Sequence, residues 1–252
     1  MEWATRRRLL YGIVTVIFTL ALSAFVVTRY ILPDPTCFDN KKNGFEVDVD
    51  CGGTCSLKCS SEVVPLSVIW SRALPVGTST YDIVGLIENK NINNTPRDVP
   101  YKFTIFNKNG DQIFARFGTT TIAVEDELPI IIQNISLNDM PYKTVLTLMP
   151  TKHYTAVERN PVPPIKTLRT RQEEGDIPRV YVTVKNTQQL TFTHLPVRIV
   201  LYDDDNNALG VGETFITFLD KEEQKDLVFT WKQPFSMPIS RISVYYELPT
   251  DK

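Results

Sequence analysis

The chain has 252 residues, 42% of them hydrophobic and 22% charged, with 17 Pro, 11 Gly and a formal net charge of −2. That composition excludes a disordered chain, a collagen-like repeat, a polytopic membrane protein and a strongly basic nucleic-acid binder. The length fits one large domain or two small ones.

Leu9 to Val27 reads LLYGIVTVIFTLALSAFVV and carries no charge. As a helix rising 1.5 Å per residue it spans roughly 28 Å, close to a bilayer core of about 30 Å. Arg6, Arg7 and Arg8 precede it. The positive-inside rule then predicts a cytoplasmic tail over 1–8, a single transmembrane helix over 9–32 and an extracytoplasmic remainder held at the cell membrane. A cleaved signal peptide, with Ala21-Leu22-Ser23 as its cleavage site, is the competing reading and exports the remainder equally. Beyond residue 30 the chain is more acidic than the whole, because the first thirty residues hold four Arg against Glu2 alone. No basic run is visible there, so a nucleic-acid partner is not expected.

Residues 33–61 form a cysteine-rich segment. All four cysteines lie in it, Cys37, Cys51, Cys55 and Cys59, spaced C-x13-C-x3-C-x3-C. In an exported chain such a cluster predicts two disulfides, with three possible pairings, because so short a unit cannot bury enough apolar surface to hold itself together. Zinc is the rival, but there is no C-x2-C knuckle and no nearby His. Gly52-Gly53 suits a turn with positive φ. Asp39, Asn43, Glu46, Asp48 and Asp50 alternate around Asn43-Gly44, a set of hard oxygen ligands of the kind Ca²⁺ takes. The rival reading of those five is a solvated acidic turn. The segment resembles a motif of exported proteins, C-x-D/N-x3-N-G-x-E-x-D-V-D-C-G-G-x-C-x3-C. That resemblance implies export and disulfides rather than any one activity.

From Val63 onward the chain lies on itself with a shift of 96 or 97 residues. Asn89 meets Asn186, Pro100 meets Pro196 and Pro141 meets Pro238. Ile83, Gly85 and Ile87 meet Val180, Val182 and Val184, while Tyr101, Phe103 and Ile105 meet Val197, Ile199 and Leu201. Period-two alternation of this kind marks half-buried strands, so a β-unit of about 90 residues is present twice. The expected fold is mainly β: an N-terminal transmembrane helix, a small disulfide-stapled segment and two tandem antiparallel β-sandwiches, over 62–150 and 165–252. A Pro-rich linker, 151–164, joins them as a strut, although Tyr154 and Val157 are available for strand packing. Asn107 to Asp111 and Asp203 to Asn207 read as matching hairpin turns.

One strand of each copy, Phe103-Thr104-Ile105-Phe106-Asn107 and Ile199-Val200-Leu201-Tyr202-Asp203, resembles the F-x-L-Y-D signature of FxLYD-type bacterial envelope domains. The resemblance implies an immunoglobulin-like sandwich common in exported, membrane-anchored proteins.

For chemistry the sequence offers little. His153 and His194 are the two histidines, and neither recurs in the other copy. No nucleophile elbow, zinc-protease helix, P-loop or dinucleotide fingerprint occurs, so neither catalytic residues nor a cofactor is expected. Trp70 and Trp231 read as sandwich core. Asn93 and Asn134 open N-x-S/T sequons. The function expected from sequence is a non-enzymatic, single-pass envelope protein that presents its sandwiches to a protein partner or acts as a spacer. The alternatives are a Ca²⁺- or ligand-binding receptor and a subunit of a membrane assembly.

Overall fold

In a computed structural model the described residues are 2–27, 37–96, 98–151, 153–157 and 164–247. They divide into two compact units, Met1–Cys55 and Ser56–Lys252.

The first unit opens with helix α1, Glu2–Val26. Thr5–Val26 has a mean hydropathy of 2.3 with none of it buried, and it is the one helix among the described residues long and apolar enough to cross a membrane. Its hydroxyls turn back on their own helix. Thr15 Oγ1 donates to Tyr11 O at 2.8 Å, Thr19 Oγ1 to Thr15 O at 3.0 Å, and Ser23 Oγ to Leu20 O at 2.9 Å. Satisfied this way, they do not raise the cost of an apolar solvent. Residues 37–55 then fold as a chain of turns closed by the Cys37–Cys55 disulfide. Gly52 and Gly53 take φ of 76° and 59°, as the sequence predicts, and a Cβ on Gly53 would overlap the carbonyl oxygen of Phe45.

The second unit is a series of strands: β1 (Leu57–Cys59), β2 (Ser67–Pro75), β3 (Thr80–Asn89), β4 (Asn94–Pro96), β5 (Val99–Phe106), β6 (Gln112–Thr120), β7 (Asp126–Ser136), β8 (Lys143–Leu148), β9 (His153–Ala156), β10 (Ile165–Glu173), β11 (Arg179–Asn186), β12 (Phe192–Tyr202), β13 (Ala208–Leu219), β14 (Gln224–Thr230) and β15 (Arg241–Tyr246). Every pairing is antiparallel. The first sandwich sets sheet β2-β3-β7 against β6-β5-β8, and the second sets β10-β11-β14 against β13-β12-β15. The repeat read from sequence is therefore a repeat of topology, strand for strand.

Each sandwich has its own core. Ile83, Ile87, Phe103, Ile105, Leu128 and Ile130 fill the first, and Val180, Val182, Val184, Ile199, Leu201 and Phe229 the second. Gly85 lets the Phe103 ring lie on the backbone of β3. A Cβ there would stand 2.5 Å from Leu146 Cδ2 and 3.2 Å from Phe103. Backbone specials recur in register: positive φ at Asp98 and His194, at Gly110 and Asn206, and at Glu125 and Glu222.

Asn89 and Asn186 explain their own recurrence. Both are fully buried. Asn89 Nδ2 donates to Asn94 O and Ala123 O, and its Oδ1 accepts from Asn91 N. Asn186 Nδ2 donates to Leu190 O, Leu219 O and Asp220 O, while Oδ1 accepts from Gln188 N. An amide is one of few side chains able to serve donors and acceptors at once, and buried polar backbone groups require a partner.

Part of the join between the sandwiches is strand, for which Tyr154 is available. His153–Ala156 is strand β9, the middle of a small sheet β1-β9-β4; residues 158–163, which include two of the linker prolines, lie outside the described ones. The two sandwiches pack directly on each other through a third cluster, Leu74, Val84, Val200, Tyr202, Ala208 and Val211, with Trp70, Ile131 and Tyr245 at its margin. Side chains alternate across a strand, so Ile83 and Ile87 face the core of the first sandwich while Val84 faces the second. The same holds for Ile199 and Leu201 against Val200 and Tyr202. Trp70, expected in a sandwich core, instead meets the Tyr202 ring edge-on at 6.2 Å across this junction. Each buried apolar side chain there contributes about 1.5–3 kcal/mol, so two isolated sandwiches would leave a costly apolar face in water.

Candidate functional site

Two regions concentrate chemistry, the cysteine loop and the cleft beside the sandwich junction. In the loop all four sequence-predicted cysteines are oxidised: Cys37 bonds Cys55, Cys51 and Cys59 are also disulfide-bonded, and no described cysteine is free.

Four of the five acidic-loop residues, Asp39, Glu46, Asp48 and Asp50, accept hydrogen bonds locally. Asp50 accepts from Asp39 N at 2.9 Å and from Asn40 N at 2.9 and 3.1 Å. Asp39 accepts from Lys41 N and Asn43 Nδ2, Glu46 from Asn43 N, and Asp48 from Val49 N. These bonds satisfy backbone N–H groups in tight turns and stabilise ionised carboxylates. One acceptor of the set, Asn43 Oδ1, is buried with no partner. Among the described residues, the one group of three Cys, His, Asp or Glu ligand atoms within 4.8 Å of one another is Cys37, Glu46 and Cys55. Its two sulfurs are bonded to each other and offer no thiolate. The carboxylates of Asp39, Asp48 and Asp50 thus form no such trio.

The cleft is of another kind. It measures about 990 Å³ and is walled on one side by Leu74 to Thr78, Asp82, Gln133 and Asn134, on the other by Ala208 to Thr214 of β13 and Trp231 to Ser236 of the β14–β15 loop. Trp231 is almost fully buried, its Nε1 donating to Val211 O at 3.0 Å, and Phe235 meets it edge-on at 5.3 Å. Gly210 lies beneath that pair, where a Cβ would stand 2.6 Å from Phe235.

Asp82 is the group that stands out. It is 5% exposed, and Oδ1 accepts from Asn134 N at 2.8 Å across an irregularity in the β3–β7 register. Asn134 has φ of 57° there. Burial pushes the Asp82 carboxyl above its ordinary range, and the Asn134 bond only partly opposes this. Asp126, at the opposite end of β7, is pushed up to about 6, mainly by burial. Near the junction Arg198 bridges Glu213 and Glu247, with N–O distances of 3.0 and 2.5 Å. Burial raises the phenol of Tyr101 while Arg116 and Arg198 draw it down, and burial also raises Tyr245.

His194 lies in β12, exposed and stacked on Phe215 at 4.9 Å. Both sequon asparagines are exposed, and the Thr95 that completes the first sequon is buried. The Asp203 run is a turn, as expected: Asp203 Oδ1 accepts from Asn207 N, and Asn107 plays the same part toward Asp111 N in the first copy. The Asn207 bond holds the Asp203 carboxyl below its ordinary range.

Sequence reasoning passed over Asp82 and the junction, and both had signals. Asp82 is an acid inside the apolar run Tyr81-Asp82-Ile83-Val84. Ile83-Val84-Gly85-Leu86-Ile87 and Ile199-Val200-Leu201-Tyr202 are unbroken apolar runs, the mark of strands buried on both faces.

No protein-family model matches the chain, and no curated protein sequence does. Among solved structures it is similar to the red sea bream transglutaminase, at 10% identity and a TM-score of 0.23, over 75% of this chain and 32% of that one. It is also similar to the CBM22-1–CBM22-2 tandem of Xyn10C from Paenibacillus barcinonensis, at 9% identity and a TM-score of 0.14, over 78% of this chain and 90% of that one. The chain spans about a third of the transglutaminase. Likeness at this level carries no argument about fold or activity.

Proposed function

We propose that this chain is a non-enzymatic, membrane-tethered protein whose fused β-sandwiches stand outside the cell membrane as an interaction module. The observation that carries the reading is a wholly exposed apolar helix in the same chain as a loop whose cysteines are all oxidised. Disulfides persist in oxidising compartments, and an exposed apolar helix of this length suits a bilayer. The arginines ahead of the helix favour a cytoplasmic N-terminus.

The three-plus-three strand order, with the first, second and fifth strands in one sheet and the others in its partner, supports an immunoglobulin-like sandwich. The FxLYD-like strands fit it, because Phe103, Ile105, Ile199 and Leu201 are core residues.

Crosslinking in the native cell followed by peptide mapping tests the reading, together with maleimide labelling before and after reduction. The expected result is a chain that resists carbonate extraction, labels only after reduction and crosslinks through its sandwich surfaces. Reactive cysteines without reduction, no crosslinked partner, or a hydrolytic activity abolished by one point substitution overturns it.

A further inference from the structure

We infer that the cleft between the two sandwiches receives a lysine or arginine side chain of an extended peptide segment, with Asp82 as its charge partner. The inference rests on the interaction-module reading and names the chemistry of the partner.

Asp82 is more than nine-tenths buried, yet the structure gives it one donor, Asn134 N at Oδ1. That bond leaves Oδ2 for the cleft, which the residue lines, and Oδ2 is not among the sealed, unpartnered polar atoms of the described residues. A largely buried carboxylate on a cleft wall gains from a cation or donor that completes it.

The fold itself does not require the acid. Laid on the second copy, Asp82 falls on Arg179 and Asn134 on Trp231, and Arg179 is exposed. A residue that merely maintained the strand would be expected to recur as Asn89 does in Asn186. Of the other charged residues on the cleft walls, Glu213 is paired with Arg198, and Lys232 is exposed on the β14–β15 loop.

The remaining walls suit the stem of a long basic side chain and its apolar neighbours. Leu74, Val76 and Phe235 are apolar, and long cationic side chains bury their methylenes against such surfaces. β13 runs along the cleft as an edge strand of its sheet, and although Trp231 Nε1 takes Val211 O and Lys225 takes Phe218 O, the strand presents a backbone edge on which an added strand can pair. That edge favours a peptide over a free amine. A cleft of this volume falls within the range of ligand sites.

The test uses the full chain in detergent micelles and a fluorescein-labelled peptide, acetyl-Val-Leu-Arg-Leu-Val-amide, with a second peptide carrying neutral citrulline for arginine. Fluorescence anisotropy is expected to show the arginine peptide binding at least about tenfold tighter. Asp82→Asn keeps the acceptor for Asn134 N and is expected to bring both peptides to the same affinity. Gln133→Lys, at an exposed position on the cleft wall, is expected to abolish binding without lowering the melting temperature, by placing a competing cation beside Asp82. Equal affinity of the two peptides, an unchanged Kd in Asp82→Asn, or no anisotropy change up to about 1 mM peptide overturns the inference. Cadaverine competing as well as the peptide does overturns the peptide source. If the cleft fails these tests while native crosslinks map elsewhere on the sandwiches, the inference falls and the proposed function stands. Absence of any crosslinked partner removes both.

Discussion

Replacing Asn186 by alanine tests whether the buried amides close the two β-units. At the end of β11, fully buried Asn186 holds Leu190 O at 2.7 Å, Asp220 O at 3.0 Å, Leu219 O at 3.1 Å and the N–H of Gln188 at 2.8 Å. Truncation leaves all four without that partner. The bond to Leu219 is wholly buried, whereas the others reach partly exposed atoms that water can take over. An abandoned buried polar group costs about 1–3 kcal/mol, so the expected loss is roughly 2–4 kcal/mol. For a unit of this size that corresponds to a fall in Tm of about 5–15 °C.

Asn186→Asp sharpens the test. It keeps an acceptor for Gln188 but sets carboxylate oxygen against three carbonyls, so ionisation in the folded state is disfavoured and its folded pKa lies above the unfolded value. The variant therefore gains stability as pH falls toward 4 and loses it as pH rises. Thermal unfolding followed by circular dichroism at pH 7 and pH 4.5 measures both effects. The reasoning fails if Asn186→Ala costs less than about 0.5 kcal/mol, or if Asn186→Asp shows no more pH dependence than the parent. Asn89→Ala is expected to behave as Asn186→Ala does.

Val84→Glu places a charge in the sandwich junction, and a cost above about 3 kcal/mol is expected, with a larger radius of gyration of the β-unit by small-angle scattering; an unchanged profile and Tm would refute direct packing. Gly85→Ala overpacks the site against Leu146 and Phe103 and is expected to cost about 1–3 kcal/mol in denaturant unfolding. Asp126, pushed up to about 6 from 3.8, contributes stability that is complete below about pH 4 and lost as pH rises through 6. Asp126→Asn should flatten that slope, by no more than about 3 kcal/mol. Replacing Cys37 and Cys55 together by Ser opens a loop with a sequence separation of 18, and rapid proteolysis within residues 37–55 is the expected result. Loop entropy of that size is worth about 3 kcal/mol.

Much of the fold was legible because its signals are local. β11 alternates strictly, Arg179-Val180-Tyr181-Val182-Thr183-Val184, and its fully buried residues are the three valines and Asn186 at its end. The turn residues recur because Gly110 and Asn206 both need positive φ. The junction was missed because alternation reports one buried face, whereas β3 and β12 each bury both. A strut was expected from the prolines of 151–164, but proline stiffens a connection without deciding how far apart it holds its ends. In the loop, composition supplied the oxygen donors and not their geometry, in which backbone N–H groups meet the carboxylates of Asp39, Glu46, Asp48 and Asp50. Asp82 became informative once the cleft around it was known, since a single acid in a strand is otherwise an ordinary edge residue.

The junction is also asymmetric. It joins β3 of the first copy to β12 of the second, and these are not equivalent strands, because β3 corresponds to β11 and β12 to β5. A head-to-tail contact between identical units has no natural end and adds copy after copy. Here the two copies have diverged at the positions that make the contact. Val84 and Leu86 have Tyr181 and Thr183 as counterparts, and Val200 has Thr104, so neither outer sheet repeats the apolar surface that joins the pair. The divergence keeps the outer face of β11 from repeating the contact that β3 makes, and restoring valine and leucine at Tyr181 and Thr183 would return apolar residues to that face.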